Sequence, residues 1–560
     1  MKPHMPLGDF LVAYLRKLGV THLFGIPGDL VLRLFFRFGQ RQGLKIVTFS
    51  HEPGVGFAAD GYARASGRIG VVCVTYGAGG HNMVNPVAGS FAERVPILVI
   101  SGGPGDEERK LGTLIHHQAK EIESQHRIYQ ELTCASSVIA DPHAAAAEID
   151  RVVRAMWVHQ QPGYIEIHRD IVDRPITVPR SLIEWDGTLA FPKSDEHKLV
   201  EAVRDTAVRW NAARNPVLLV GIEAYRYRLT HEVVALAEKL GVATLTSVLA
   251  KGAFPMEHRL YMGTYIGKLS PKLIRQRVER ADLVLNLGTP FTDMDFGGRT
   301  PAIDPRRLIS AVDGRVDVSL HTYTDVTLRG FVQHLRQADL RRRRERVCYS
   351  DNLSAGPSRR RAPVRVVDLL NEVNRFLRDK PRYLVVAESG DMLFAGLDVR
   401  VPGDCAYLAQ GYYASMGFGV PGALGAQIAT AKRPLILCGD GAFQMTGPEI
   451  AQAPRLGCNP IVIVVNNGGW EIFRPVAERP DLLEIPPWPY AELGRAWGGT
   501  GFNVETAADL RGALASADTR EEFVVIEVAV DPEDHSPISR KYISGSTRRG
   551  QVAGQTKGRT

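Results

Sequence analysis

A chain of 560 residues and 61.5 kDa, 44% hydrophobic and 23% charged, is too long for one core and has the composition of a soluble globular protein of about three domains. No apolar run approaches the roughly 20 residues of a membrane span, and the opening MKPHMPLGDF has no signal-peptide core, so a cytoplasmic enzyme without a membrane partner is expected. The net charge of +7 does not signal nucleic acid, because residues 336–365 hold ten arginines against three acids and no interleaved aromatics or binding module accompany them.

Six cysteines, at 73, 134, 348, 405, 438 and 458, lack paired spacing and read as reduced core residues. Residues 1–184 alternate short apolar strands (THLFGIPG, KIVTFSHE, GRIGVVCVTYG, PILVISGG, YIEIHRD) with helical patterns, which predicts a doubly wound parallel sheet. Glu52 falls between a strand and a helix, where on local grounds it is a first-turn carboxylate favoured by the helix dipole. Asp29 ends the GIPGD turn, and Thr75 precedes the glycine-rich GAGGHNMVN. His116 and His117 in GTLIHHQ would point to opposite faces of a strand, but in a turn both can reach one cavity. Zinc would need further ligands, and no spacing supplies them.

Residues 196–338 alternate again (PVLLVG, VATLTS, ADLVLNLGT, LISAVD) without a dinucleotide glycine fingerprint. Asp293 in FTDMDF reads locally as a loop acid. Residues 339–363 form a basic linker whose like charges should repel and keep it solvated. The third α/β segment, 364–544, opens with YLVVAESGDMLF, a strand ending in small polar residues that include Ser389 and Asp391. GYYASMGFGVPGALGAQ follows, with Ala414 and with Met416, which on local grounds is core. Residues 545–560 form a basic, glycine-rich tail, expected to be mobile.

The most informative stretch is Leu435 to Arg474. Its apolar runs Leu435–Cys438 and Ile461–Val465 end in GDG and NNGG, with twenty-four residues between GDG and NN. In an open parallel sheet, ligands bind beyond the carboxyl ends of the strands. Asp440 and Asn467 offer hard oxygens, and glycines 439, 441, 468 and 469 let backbone approach, a donor set suited to Mg²⁺ and a phosphate.

GDG, this interval and NN resemble the diphosphate motif of thiamine-diphosphate-dependent enzymes. The resemblance covers essentially the whole chain and implies three parallel-sheet domains: pyrimidine-binding (1–184), central (196–338) and diphosphate-binding (364–544). GIPGD, SHEP, TYGAG, HHQ and GDGAFQMTG together resemble the 2-keto acid decarboxylases, most nearly the phenylpyruvate or indolepyruvate type. By resemblance, Glu52 bonds N1′ of the cofactor's aminopyrimidine. Asp29, His116 and His117 handle protons, and the Ala414 carbonyl accepts from the 4′-amino group. Met416 wedges between the cofactor rings. Thr75, Ser389, Asp391, Gly439, Gly441 and Ala442 complete the cofactor cradle, while Asp440, Asn467 and Gly469 hold Mg²⁺. Asp293, Met392, Trp470 and Phe473 are expected near the substrate. Phe473 stands six positions after Asn467, where many pyruvate decarboxylases carry a glutamate. Phenylalanine cannot transfer a proton, which argues for an aryl or long-chain substrate. The resemblance also implies active sites shared between subunits of a homodimer or homotetramer. Rival readings are a carboligase of the acetolactate synthase type and a non-catalytic thiamine-diphosphate-binding protein.

Overall fold

The computed structural model describes residues 1–40, 43–298, 303–353, 363–401, 403 and 407–544. The tail 545–560 and the linker residues 354–362 lie outside them, as does Cys405. Two compact units form. One joins Met1–Phe191 to Val420–Ala431 and Arg455–Cys458, and the other takes Pro192–Gly419, Lys432–Pro454 and the described residues from Asn459 onward.

The first unit is built on a six-stranded, wholly parallel sheet in the order Lys45–Val47, His22–Gly25, Gly70–Val74, Ile97–Gly103, Gly163–His168, Ala135–Ile139. Every residue of Gly70–Val74 and Ile97–Gly103 is buried, which explains why these strands read as unbroken apolar runs: a parallel sheet is covered on both faces. Strand order reverses between His22–Gly25 and Gly70–Val74, placing the Asp29 turn and Thr75 at a topological switch point. The helix Glu52–Ser66 crosses the helix Gly419–Thr430 at glycines. A Cβ on Gly61 would strike the Gly422 carbonyl, and one on Gly425 would strike the carbonyl of Ala58.

The second unit holds two sheets. The first runs Tyr261–Thr264, Thr244–Thr246, Pro216–Val220, Leu283–Leu287, Leu308–Val312, Arg315–Val318, His321–Tyr323. Its first five strands are parallel and the last two pair antiparallel, which leaves a mostly parallel sheet with an antiparallel edge. The cause is local: Asp313 and Gly314 both take positive φ (56° and 74°), as a tight hairpin turn of the Asp-Gly kind requires. The second sheet is all parallel, in the order Tyr407–Ala409, Tyr383–Ala387, Arg433–Gly439, Ile461–Asn466, Val524–Ala529, Thr500–Val504. Its order reverses between Tyr383–Ala387 and Arg433–Gly439, the strands that lead into Ser389 and Asp440. One continuous apolar cluster serves both sheets, taking in Leu285 and Phe331 beside the first and Val385, Leu437 and Ile463 in the second.

The described part of the linker is not a solvated coil. Arg343 N–H donates to the Leu240 carbonyl (2.7 Å) and Ser350 N–H to that of Met262 (2.9 Å). The Arg343 guanidinium donates to Trp210 and Ala213 carbonyls at 2.9 and 2.6 Å. Backbone pairing and carbonyl acceptors outweigh the like-charge repulsion on which the expectation rested. Cys348 is exposed, another departure, whereas Cys73, Cys438 and Cys458 are buried.

Gly61→Ala tests the helix crossing. Alanine favours an isolated helix, so overpacking against Gly422 should win and lower stability by about 1–3 kcal/mol. Denaturant unfolding should give an earlier midpoint; an unchanged or later one contradicts the crossing.

Candidate active site

In the first unit, three segments converge on the switch point. Gly28 lies against Thr75, where a Cβ would come 2.5 Å from the threonine Cβ. A Cβ on Gly79 would stand 3.3 Å from Thr75 Cγ2 and 3.5 Å from Glu52 Oε1. These glycines therefore let the Asp29 turn, Thr75 and Glu52 share one surface. Glu52 opens its helix, and its side chain is 16% exposed. Its Oε2 accepts from Asn82 Nδ2 at 3.0 Å, and among the described residues no side-chain cap bond forms at that helix end. Thr75 Oγ1 is buried without a hydrogen-bond partner among the described residues, the condition of a hydroxyl that a ligand completes.

His116 and His117 lie in a turn and both reach Asp29. His116 Nε2 bonds Asp29 Oδ2, and His117 Nε2 lies 3.7 Å from Oδ1. The imidazole centroids are 4.9 Å apart. Burial works to raise the Asp29 pKa, but the His116 hydrogen bond, the Leu30 N–H and the two imidazoles outweigh it and hold the carboxyl below its usual range. His117 has φ of 68°, a conformation that costs a non-glycine residue about 1 kcal/mol or more and persists where its surroundings impose it. One constraint is Gly77, which packs on the His117 backbone. Gly77 N–H in turn donates to buried Gln125 Oε1 at 2.7 Å. Neither Asn82 nor Gln125 stood out in the sequence; only the glycines around them gave a sign that something packs closely there.

In the second unit, GDG and NNGG meet through one carboxylate. Asp440 is 1% exposed. Its Oδ1 accepts from Gly441 N–H at 2.7 Å, and its Oδ2 from Asn467 and Gly468 N–H at 3.1 and 2.7 Å. Burial raises its pKa, with those N–H groups pulling the other way. Trp470 seals the junction, because a Cβ on Gly441 would sit 2.5 Å from its ring. Ala442 is buried. Open space lies over Gly390, Gly439 and Gly468, where an added Cβ meets nothing within 4 Å among the described residues. Backbone there is free to approach a phosphate, and the Asp440 and Asn467 oxygens and the Gly469 carbonyl suit Mg²⁺.

Ser389 Oγ donates to the Ser415 carbonyl at 3.0 Å, drawing residues 414–416 to the end of the neighbouring strand. Ala414 has φ of 55°, and Met416 is half-buried. Asp391 gives its carboxylate to Ser536, at 2.7 Å from the hydroxyl and 3.1 Å from the N–H. Met392, expected beside the substrate, is 2% exposed and packs in the main core; helix geometry turns it inward. Glu471 is buried and paired with Arg474, while Phe473 is 55% exposed. Asp293 is exposed. Its neighbour Met294 joins Phe394 and Ile472 in one apolar cluster, so the FTDMDF loop lies beside the segment carrying Phe473.

Asp440→Ala would leave the N–H groups of Gly441, Asn467 and Gly468 without their acceptor, at about 1–3 kcal/mol for each one that stays buried. Amide hydrogen exchange over residues 466–470 should accelerate in the variant. Unchanged protection would mean that Asp440 does not organise the loop.

Family models for thiamine pyrophosphate enzymes match the chain three times: the N-terminal TPP binding domain over residues 5–128, the central domain over 203–338 and the C-terminal TPP binding domain over 390–528. The chain is 37% identical over 552 residues to an indole-3-pyruvate decarboxylase of Azospirillum brasilense, covering 97% of this chain and 99% of the relative. It is 29% identical to an alpha-keto-acid decarboxylase of Mycolicibacterium paratuberculosis, over 94% of each chain. A probable pyruvate decarboxylase of Schizosaccharomyces pombe is 27% identical, over 95% of this chain and 94% of its own. The matched domains, the parallel sheets with their switch points and the full-length relative together establish that this chain belongs to the thiamine-diphosphate-dependent 2-keto acid decarboxylases.

Proposed function

We propose that this decarboxylase acts on aryl or long-chain 2-keto acids, of the phenylpyruvate and indole-3-pyruvate type, releasing CO2 and the aldehyde one carbon shorter. The observation that carries the reading is the meeting of Asp29, His116 and His117, three proton-handling groups within 4.8 Å of one another. Phe473, apolar and exposed beside the Met294 cluster, supports the aryl preference, as does the name of the indole-3-pyruvate decarboxylase relative.

Bound thiamine diphosphate supplies an electron sink for the carbon that loses CO2. Asp440, Asn467 and the Gly469 carbonyl would hold Mg²⁺, while Gly439, Gly441 and Ala442 would cradle the diphosphate. Glu52 would hold a proton shared with the aminopyrimidine N1′, and Thr75 Oγ1 would find its partner in the same ligand. The His116 imidazole, hydrogen-bonded to Asp29, would hold and deliver a proton at the reacting carbon. Phe473 would offer an apolar face to an aromatic side chain. We propose domain boundaries at 1–184, 196–338 and 364–544, with the site assembled between subunits of a dimer or tetramer.

Steady-state assays with phenylpyruvate, indolepyruvate and pyruvate, each with thiamine diphosphate and Mg²⁺, should yield aldehyde mainly from the aryl substrates. A ligated hydroxy acid as the main product would favour the acetolactate-synthase reading instead. Glu52→Gln should abolish turnover while cofactor binding is largely kept, and near-normal rates in that variant would sink the role given to Glu52. Sedimentation of the active enzyme should give a dimer or larger; an active monomer refutes a shared site.

A further inference from the structure

Glu388 directly follows the buried strand Tyr383–Ala387 and is 1% exposed. Among the described residues it has no ion pair. Its Oε1 accepts from Ser389 N–H at 2.8 Å and Gly417 N–H at 3.2 Å, and its Oε2 from Gly419 N–H at 2.6 Å. Burial pushes the carboxyl up to about 7, against the pull of these N–H groups. A buried carboxylate held only by backbone donors is costly where an apolar residue would serve packing alone. Its use lies in what those donors belong to. Gly417 and Gly419 close the loop that carries Ala414 and Met416, and Ser389 reaches the same loop through the Ser415 carbonyl.

That loop needs holding. Ala414 takes the left-handed φ of 55° without being glycine. Thr446 Oγ1 bonds the Gly417 carbonyl, and Gln410 Oε1 accepts from Ser415 N–H at 3.0 Å. Glu388 is the buried carboxylate among these partners, and it accepts from the N–H groups at the Gly417–Gly419 end of the loop. Gly419 is fitted to it, since a Cβ there would lie 2.8 Å from Oε2.

We infer that Glu388 is a positioning residue for the cofactor: its two oxygens template the Ala414–Gly419 loop so that the Ala414 carbonyl and the Met416 side chain meet the cofactor's rings. The inference rests on the proposed cofactor reading and on the roles that the family resemblance implies for Ala414 and Met416. It requires two acceptor oxygens and no donor. A glutamine would turn an NH2 toward either Gly419 N–H or the N–H pair of Ser389 and Gly417.

Glu388→Gln and Gly419→Ala disturb the same contact from its two sides. Thiamine diphosphate is titrated into each metal-loaded apoprotein by tryptophan fluorescence, with near-UV circular dichroism of the bound cofactor recorded alongside. Affinity should fall about tenfold or more in both variants, the range for a lost charge-assisted hydrogen bond. The cofactor's dichroic band should change, while the KM for the keto acid at saturating cofactor stays near wild type. Should Glu388→Gln not fold, Gly419→Ala decides alone, because alanine suits a helix start. If the wild type binds no thiamine diphosphate, the cofactor reading itself falls. If the wild type binds and the variants bind as tightly with an unchanged dichroic band, the positioning role of Glu388 is overturned and the cofactor reading stands.

Discussion

The candidate site of the second unit depends on a carboxylate that accepts backbone N–H groups. Asp440 follows one strand, and the loop from Asn467 to Gly469 follows its neighbour. Both loops would leave N–H groups unpaired in a buried place, and Asp440 takes them from each side. Glu388 does the same one strand further along, for the loop from Ala414 to Gly419. Burial raises both carboxyls above their usual range, a measure of the desolvation each loop arrangement costs. A pair of acids at the ends of adjacent parallel strands thus sets three loops at one switch point.

The first unit reaches its site by another route. Asp29 and the two histidines come from segments 87 residues apart. Gly28, Gly77 and Gly79 permit the approach, because each places backbone where a Cβ would crowd Thr75 or His117. Gln125 then fixes Gly77 from beneath. The candidate groups sit on loops, but sheet and buried amide decide where those loops run.

The parallel sheets were legible from sequence because strand stretches such as Gly70–Val74 and Ile461–Val465 are buried on both faces and therefore uniformly apolar. GDG and NNGG were legible because glycine, aspartate and asparagine at strand ends have few other uses. The hairpin at Asp313–Gly314 escaped because its strands are short, and the docked linker because repulsion between arginines is visible in a sequence whereas carbonyl acceptors are not. Asp29 with the histidines could be joined only through family resemblance, since no local rule spans that separation. Glu388, Gln125 and Asn82 were missed for a shared reason: each works through backbone or a single side chain brought in by the fold. Met392 is a type that suits a pocket wall as well as a core, and the fold packs it in the main core.

The central claim is that Asp440, Asn467 and the open glycines form a joint site for a metal and a diphosphate. Calorimetric titration of the apoprotein with thiamine diphosphate and with thiamine, each with and without Mg²⁺, tests it most directly. The account predicts tight binding only for thiamine diphosphate with Mg²⁺ present. Equal binding of thiamine and thiamine diphosphate, indifferent to the metal, would contradict it.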